Sequence, residues 1–357
     1  MSVEIAARRE LVFAISADYE RRTGGWIYDQ RLMRELRQRG WNVRDLVLPA
    51  GFPRPDDAAR AESSVMLDRL PEGSIVMIDQ LCLGVMPDIA RQQSRRLHLA
   101  MIVHHPLSLE TGMAEHERVA FAQLEREALS HVARVIVTSQ TTANDLKTNF
   151  AVPEQRIVVA PPGVDRLPPA MGADGPPAML SVGAVVPRKD HGTLIMALAG
   201  LRKWHWHLTI VGNLSRTPEH VAEIRRLIAR HGLSDRMTLA GEREDADLEL
   251  LWQSADLYAA ASRHEGFGMA IAEAVARGLP VVSTAAGAVS EWLGDQAAIL
   301  VAPGDVEALR AGLGRVLSDP GVRASLRQGA RAARERLPRW EKTAVTVETA
   351  LDRLAAG

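Results

Sequence analysis

Short runs of consecutive apolar residues alternate, over almost the whole chain, with longer stretches in which apolar residues recur every third or fourth position. In the first half the short runs fall at 11–15, 43–48, 74–78, 97–103, 135–138 and 157–160. In the second half they fall at 178–182, 207–211, 237–240, 257–261, 280–283 and 298–301. Most are apolar throughout instead of alternating, the pattern of parallel strands covered on both faces. The longer stretches, clearest at 26–39, 117–130, 220–231 and 306–317, have helical spacing. This alternation predicts doubly wound α/β sheets.

The two series of strands are separated by Pro161-Pro162-Gly163 and by prolines at 168–169 and 176–177, a density that reads as a linker. One domain is therefore expected over 1–165 and another over 175–337. Sheets of this kind bind ligands outside the carboxyl ends of their strands, so two such domains are expected to form one cleft. After Leu337-Pro338 a fresh helical pattern runs over 340–354. Proline breaks the preceding helix, and a final helix crossing back onto the first domain would explain the punctuation, as would a helix on its own domain.

At 357 residues the length suits two domains, and 46% hydrophobic content is ample for two cores. A net charge of −1 argues against a protein that coats nucleic acid. Arg31, Arg34, Arg37, Arg39 and Arg44 nevertheless crowd one segment, with Arg91, Arg95 and Arg96 beyond. They form either a solvated helix face or a contact with an anionic ligand or membrane surface, so peripheral membrane contact is allowed. The single cysteine, Cys82, lies between leucines as core filler and fits a reducing, cytoplasmic setting. Glu4, Arg8, Arg9 and Glu10 interrupt any apolar leader, and no run reaches the ~20 residues of a membrane span.

Chemistry concentrates at strand ends. Glu265 and Glu273 have seven residues between them, and 269–276 is apolar except for Glu273. A carboxylate in such surroundings needs donors or a cation in place of water, and the turn between the two acids presents backbone N–H groups where an anion would bind. Gly183 ends an earlier strand, followed by Pro187-Arg188-Lys189-Asp190, cations suited to a diphosphate. Gly24-Gly25 precedes a predicted helix start near Trp26, where the backbone can approach a ligand closely. His104 and His105 follow an apolar strand, where a histidine can hydrogen-bond an attacking or leaving oxygen. No histidine spacing or aspartate cluster suggests a metal site.

Together, Glu265-x7-Glu273, Pro187-Arg188-Lys189, Pro161-Pro162-Gly163-Val164-Asp165 and Gly24-Gly25 resemble the retaining nucleotide-sugar glycosyltransferases of family 4. Val137-Thr138-Ser139, Ile210-Val211-Gly212, Leu239-Ala240-Gly241 and Trp340-Glu341 match as well, so that the resemblance spans nearly the whole chain. It implies the GT-B architecture: two Rossmann-like domains facing a central cleft, with a crossover helix over 340–357. It also implies that Glu273 binds the donor ribose and Glu265 a hydroxyl of the transferred sugar. Gly266, Phe267, Gly268 and Met269 would line sugar and phosphate through their backbones. Arg188 and Lys189 would neutralise the departing diphosphate, approached also by Gly24 and Gly25. Gly212 and the loop around Arg243 would lie near the base, and His104, or alternatively His105, would take the strand-end role.

The expected reaction is transfer of a hexosyl group from a nucleoside-diphosphate sugar to an acceptor hydroxyl, with no metal or cofactor. The acceptor would be a sugar, a lipid-linked sugar or a small molecule. Alternatives are another GT-B enzyme, such as a sugar-nucleotide epimerase or a sugar phosphorylase, and a silent nucleotide-sugar-binding protein.

Overall fold

The computed structural model describes residues 9–18 and 23–355; Glu4 and Arg8, two of the charges that interrupt the opening segment, lie outside them. The chain divides into two compact units, one of residues 1–163 with 338–357 and one of residues 164–337.

In the first unit a six-stranded sheet is built from β1 (Glu10–Ser16), β2 (Asn42–Leu48), β3 (Ile75–Asp79), β4 (His98–Val103), β5 (Arg134–Val137) and β6 (Ile157–Val159). Its order is β2-β1-β3-β4-β5-β6, with all paired strands parallel. β3 is buried at every position and β4 at all but its first, as continuous apolar runs require. The strand order reverses between β1 and β3, so the loops leaving β1, β3 and β4 share one end of the sheet at its switch point.

The second unit repeats the principle with β7 (Ala178–Val182), β8 (His207–Val211), β9 (Met237–Gly241), β10 (Leu257–Ala259), β11 (Val281–Thr284) and β12 (Ala298–Val301). Its order is β12-β11-β10-β7-β8-β9, again parallel, with the switch point between β7 and β10. All twelve apolar runs thus became strands, each within a few residues of its expected limits.

Two expectations need correction. The proline-rich stretch is no free linker, because the second unit starts at Val164 and the stretch lies along it. Ala170 N–H donates to the Arg277 carbonyl at 2.9 Å, Met171 N–H to that of Gln253 at 2.9 Å, and Arg334 to the Leu167 carbonyl at 3.2 Å. Proline and glycine exclude helix, but an extended arm can still use its amides to bind a neighbouring surface. The glycines at 24 and 25, expected just ahead of a helix, are instead the first residues of the helix Gly24–Gln38. Thr23 caps that helix by accepting from Trp26 N–H at 3.2 Å, so it starts two residues early.

The last helix, Trp340–Ala355, belongs to the first unit. Thr343 Oγ1 donates to the Pro161 carbonyl at 2.6 Å, and the Trp340 ring lies 5.7 Å from that of Tyr28. Gly163 makes this docking possible, since a Cβ there would stand 2.1 Å from Trp340 N. Overpacking of this kind typically costs about 1–3 kcal/mol, so Gly163→Ala should lower the thermal midpoint by several degrees, measurable by calorimetry.

Candidate functional site

In the second unit the site grows from the two loops at the switch point. The loop after β7 tightens into a turn at Pro187–Lys189, then Asp190, at φ +45°, caps the helix His191–Ala199 by accepting from Thr193 N–H at 3.2 Å. The loop after β10 carries Ser262, Arg263, His264 and Glu265 to the helix Met269–Ala276, which starts from Gly268 at φ +90°. The loops are stitched together: Arg263 N–H donates to the Arg188 carbonyl at 2.8 Å, and Arg263 Nε meets Asp190 Oδ2 at 2.5 Å. Behind them, Gly212 after β8 backs onto Gly183, where a Cβ would lie 2.2 Å from the Gly183 oxygen, leaving room for glycine alone.

Glu265 is 7% exposed. Its Oε1 accepts from Lys189 Nζ at 2.6 Å and from Ser262 Oγ at 2.6 Å; its Oε2 lies 3.7 Å from Arg188 Nη1, which donates to the His264 carbonyl at 2.9 Å. Burial alone would raise this carboxyl, but Lys189 and then Arg188 outweigh it, bringing it down to about 2. The three charged side chains therefore sum to +1, from two cations and one anion. Lys189 and Arg188 keep about a fifth of their side-chain surface exposed. Sequence reasoning gave the acid and the cations separate tasks; the fold makes them one cluster.

Glu273 is only partly buried, and desolvation raises its carboxyl; Arg277 opposes that shift, while Asp165 and Glu249 reinforce it. Tyr258 from β10, buried and hydrogen-bonded to the Val182 carbonyl at 3.3 Å, feels both acids, which with burial hold its phenol up. Phe267 is core: its ring stacks on Trp292 at 5.3 Å, and its carbonyl accepts from Trp292 Nε1 at 3.0 Å, so that carbonyl is already engaged. Gly266, Gly268 and Met269 remain at the helix entrance. Arg243 is exposed just after β9. His191, beside the cluster, is buried and held neutral at about 3 by burial, Lys189 and His220.

The first unit holds a second cluster at its own switch point. His104 follows β4, and its Nε2 lies 3.0 Å from Oδ1 of Asp29, on the helix that follows β1. Asp79, the last residue of β3, brings Oδ2 to 3.8 Å from the same nitrogen. The sequence suggested no metal-type grouping, because these residues are far apart along the chain. The fold nonetheless brings one ligand atom from each within 4.8 Å of the others. Both contacts belong to His104; His105 is adjacent and half-buried.

Glu125, 1% exposed, holds this end of the sheet. It accepts from Leu107 N–H at 2.7 Å, Ser108 N–H at 3.1 Å and Ser108 Oγ at 2.8 Å, and it hydrogen-bonds Gln80 just past β3. Cys82 is fully buried, with its thiol pushed well up by burial and by Asp79. Of the early arginines, Arg37 pairs with Asp45 at 2.9 Å, Arg39 with Glu348 at 2.5 Å, and Arg31 lies over the Trp340 ring at 5.5 Å.

Comparison with known proteins defines the class. Residues 167–333 match the model for glycosyl transferases group 1, and residues 82–166 match that for glycosyltransferase family 4. The MMP alpha-(1->4)-mannosyltransferase of Mycolicibacterium hassiacum is 30% identical over 86% of this chain and 78% of its own length. The D-inositol 3-phosphate glycosyltransferase of Salinispora tropica is 31% identical over 61% of this chain, which spans half the length of that relative. Sucrose-phosphate synthase of Thermosynechococcus elongatus superposes with a TM-score of 0.81 at 21% identity, covering 98% and 100% of the two chains. Anabaena HepE in complex with UDP and glucose superposes with a TM-score of 0.75 at 19% identity, covering 97% and 100%. The protein is a glycosyltransferase of the GT-B fold. More narrowly, the chain belongs to the family 4 glycosyltransferases.

The buried acid predicts a pH signature. A carboxyl lowered in the folded state adds stability that is present above the ordinary carboxylate range and lost as pH falls toward about 2. The full contribution is on the order of 3 kcal/mol. Wild type should therefore exceed Glu265→Gln in stability at pH 7, and the gap should narrow by about 2 kcal/mol at pH 3 in urea denaturation.

Proposed function

We propose that this glycosyltransferase moves a hexosyl group from a nucleoside-diphosphate sugar to an acceptor hydroxyl, retaining the anomeric configuration and using no metal. The observation that carries the proposal is the Arg188–Lys189–Glu265 cluster, with its single net positive charge at the β7/β10 switch point. A diphosphate meets there a guanidinium and an ammonium already fixed in place, which is electrostatic stabilisation of a leaving group without reorganisation. The HepE structure named for UDP and glucose supports such a donor, and the M. hassiacum relative's name supports a hexosyl group.

Glu265 is a grip in this scheme, not a base. A carboxylate held at about 2 and bonded to Lys189 and Ser262 is too weakly basic to take a proton near neutrality. It orients Lys189 and offers its remaining lone pairs to a sugar hydroxyl. Glu273, Gly266, Gly268 and Met269 hold ribose and phosphate, with Gly212 and Arg243 toward the base. The diphosphate departs through an oxocarbenium-like state, and the acceptor oxygen attacks from the same face. The acceptor is a sugar, free or lipid-linked, or a small hydroxyl compound. The exposed Arg34, Arg44, Arg91 and Arg95 suit an anionic acceptor or a membrane surface. Among the described residues no helix is long and apolar enough to cross a membrane.

Nucleoside diphosphate release from UDP-, GDP- and ADP-sugars, with and without sugar acceptors, tests the reading. One donor should be turned over, with an α-donor giving an α-product; absence of both binding and release for every donor would sink it. Lys189→Ala should slow release by about a hundredfold or more, the usual scale for removing one preorganised donor. Glu273→Ala should weaken donor binding about tenfold, roughly 1.4 kcal/mol, in calorimetry.

A further inference from the structure

We infer that Arg277, which closes the helix Met269–Ala276, is the positioning residue that keeps Glu273 able to accept the hydroxyls of the donor ribose. The inference rests on the nucleotide-sugar reading and extends it to a residue given no role there.

The guanidinium is held by protein groups on several sides. Arg277 is 5% exposed. Its guanidinium lies over the Trp252 ring at 4.9 Å, and its Nη2 donates to Glu249 Oε2. Glu249 is itself held, since its Oε1 accepts from Gln253 Nε2 at 3.2 Å. Glu249, Trp252 and Gln253 all belong to the helix Asp245–Ser254, so one helix both stacks on the cation and pairs with it. The backbone is fixed as well: Arg277 N–H donates to the Glu273 carbonyl at 3.1 Å, and the Arg277 carbonyl accepts from Ala170 N–H at 2.9 Å. Two of its donors, Nε and Nη1, are buried and find no hydrogen-bond partner among the described residues. Buried donors in that condition are uncommon and call for a reason. Glu273 stands four residues earlier on the same helix, the spacing that sets acid and cation on one face in their favourable order.

The groups around Glu273 come from every neighbouring element. Asp165 acts on it from the arm, Glu249 from the helix Asp245–Ser254, and Arg277 from its own helix. Tyr258 of β10 feels its charge. From the helix Pro320–Arg334, Arg331 comes against Gly278, where a Cβ would stand 3.0 Å from its Cγ, and Arg334 donates to the Leu167 carbonyl at 3.2 Å. Desolvation, Asp165 and Glu249 all favour the protonated carboxyl, and Arg277 opposes them. An ionised carboxylate accepts at both oxygens and can take two ribose hydroxyls at once. Once protonated it loses an acceptor, and with it the charge that strengthens both bonds. Arg277 therefore sets how far into acid the grip on the donor survives. Glu265, held at about 2, stays ionised well below that point. The phosphate ionisation near about pH 6 is absent from a nucleotide sugar, whose terminal phosphate is esterified, so its affinity reports the protein.

Carbon-13 detection of side-chain carboxyls in full-length protein labelled at glutamate tests this, with Glu273→Gln assigning the signal. Wild type should show Glu273 titrating above an ordinary glutamate. Arg277→Met should raise that midpoint by about one pH unit, Arg277→Lys should restore most of the shift, and Glu249→Gln should lower the midpoint. Calorimetry with UDP-glucose, GDP-mannose and ADP-glucose between about pH 4 and 8 should follow the same order. Below both midpoints Arg277→Met should bind the donor about tenfold more weakly than wild type, and near pH ~8 the two should converge. A merely structural role would lower the stability of Arg277→Met and leave its pH profile of affinity where wild type has it, which overturns the inference. An unmoved Glu273 midpoint in Arg277→Met, or a raised one in Glu249→Gln, overturns it too. Should Arg277→Met fail to fold, Arg277→Gln, which keeps a polar side chain without the charge, is read on the same two signals. Binding of none of the three nucleotide sugars, with the Glu273 midpoint moving as expected, would fall on the functional reading and leave the hold of Arg277 on Glu273 standing.

Discussion

A carboxylate cut off from water must find its counter-charges inside the protein, and the second unit is arranged around that requirement at Glu265. Lys189 and Arg188 come from one strand-end loop, Ser262 and Glu265 from another. The two loops can meet only because β7 and β10 are neighbours in the sheet although two strands separate them in sequence. The sheet order thus does chemical work: it turns two distant segments into one site with fixed charges. Ion pairs of this kind are poor sources of net stability. In the proposed transfer their value lies in holding two cations still, where mobile ones would have to be ordered by the ligand.

The first unit solves a parallel problem with different chemistry. Its switch point brings together Asp29 of the first helix, Asp79 at the end of β3 and His104 just after β4, with Glu125 holding the loop beyond His104. Anionic groups surround a partly exposed imidazole there, whereas cations surround the acid in the second unit.

How much of this was legible varies with how local each signal is. The strands were legible because a parallel strand buried on both faces must be a continuous apolar run, and β10 and all but one residue each of β3 and β4 are written that way. Glu265, Glu273, Arg188 and Lys189 could be singled out because each sits beside a glycine-marked turn. Their pairing could not, since 76 residues separate Lys189 from Glu265. Asp29 was invisible for a different reason. In sequence it is one polar position in a helix that is polar on one face; only the fold shows that it points inward. The proline-rich arm at 164–177 misled because proline and glycine report what backbone shape is excluded, and say nothing of whether the remaining extended chain is free or bound. Tyr258 and Glu125 carried no local mark at all.

The return of the last helix to the first unit has a consequence for how the protein comes into being. Synthesis proceeds from the first unit, through all of the second, to Trp340–Ala355. The Tyr28 ring and the segment around Gly163 therefore wait, without their Trp340 partner, while 174 residues of the other unit are made. The unit begun first is completed last. On the ribosome this leaves an apolar seam open until Trp340–Ala355 has been made, the kind of exposed surface that chaperones recognise. A chain lacking Trp340–Ala355 would thus carry its defect in the first unit, beside the helix that bears Asp29.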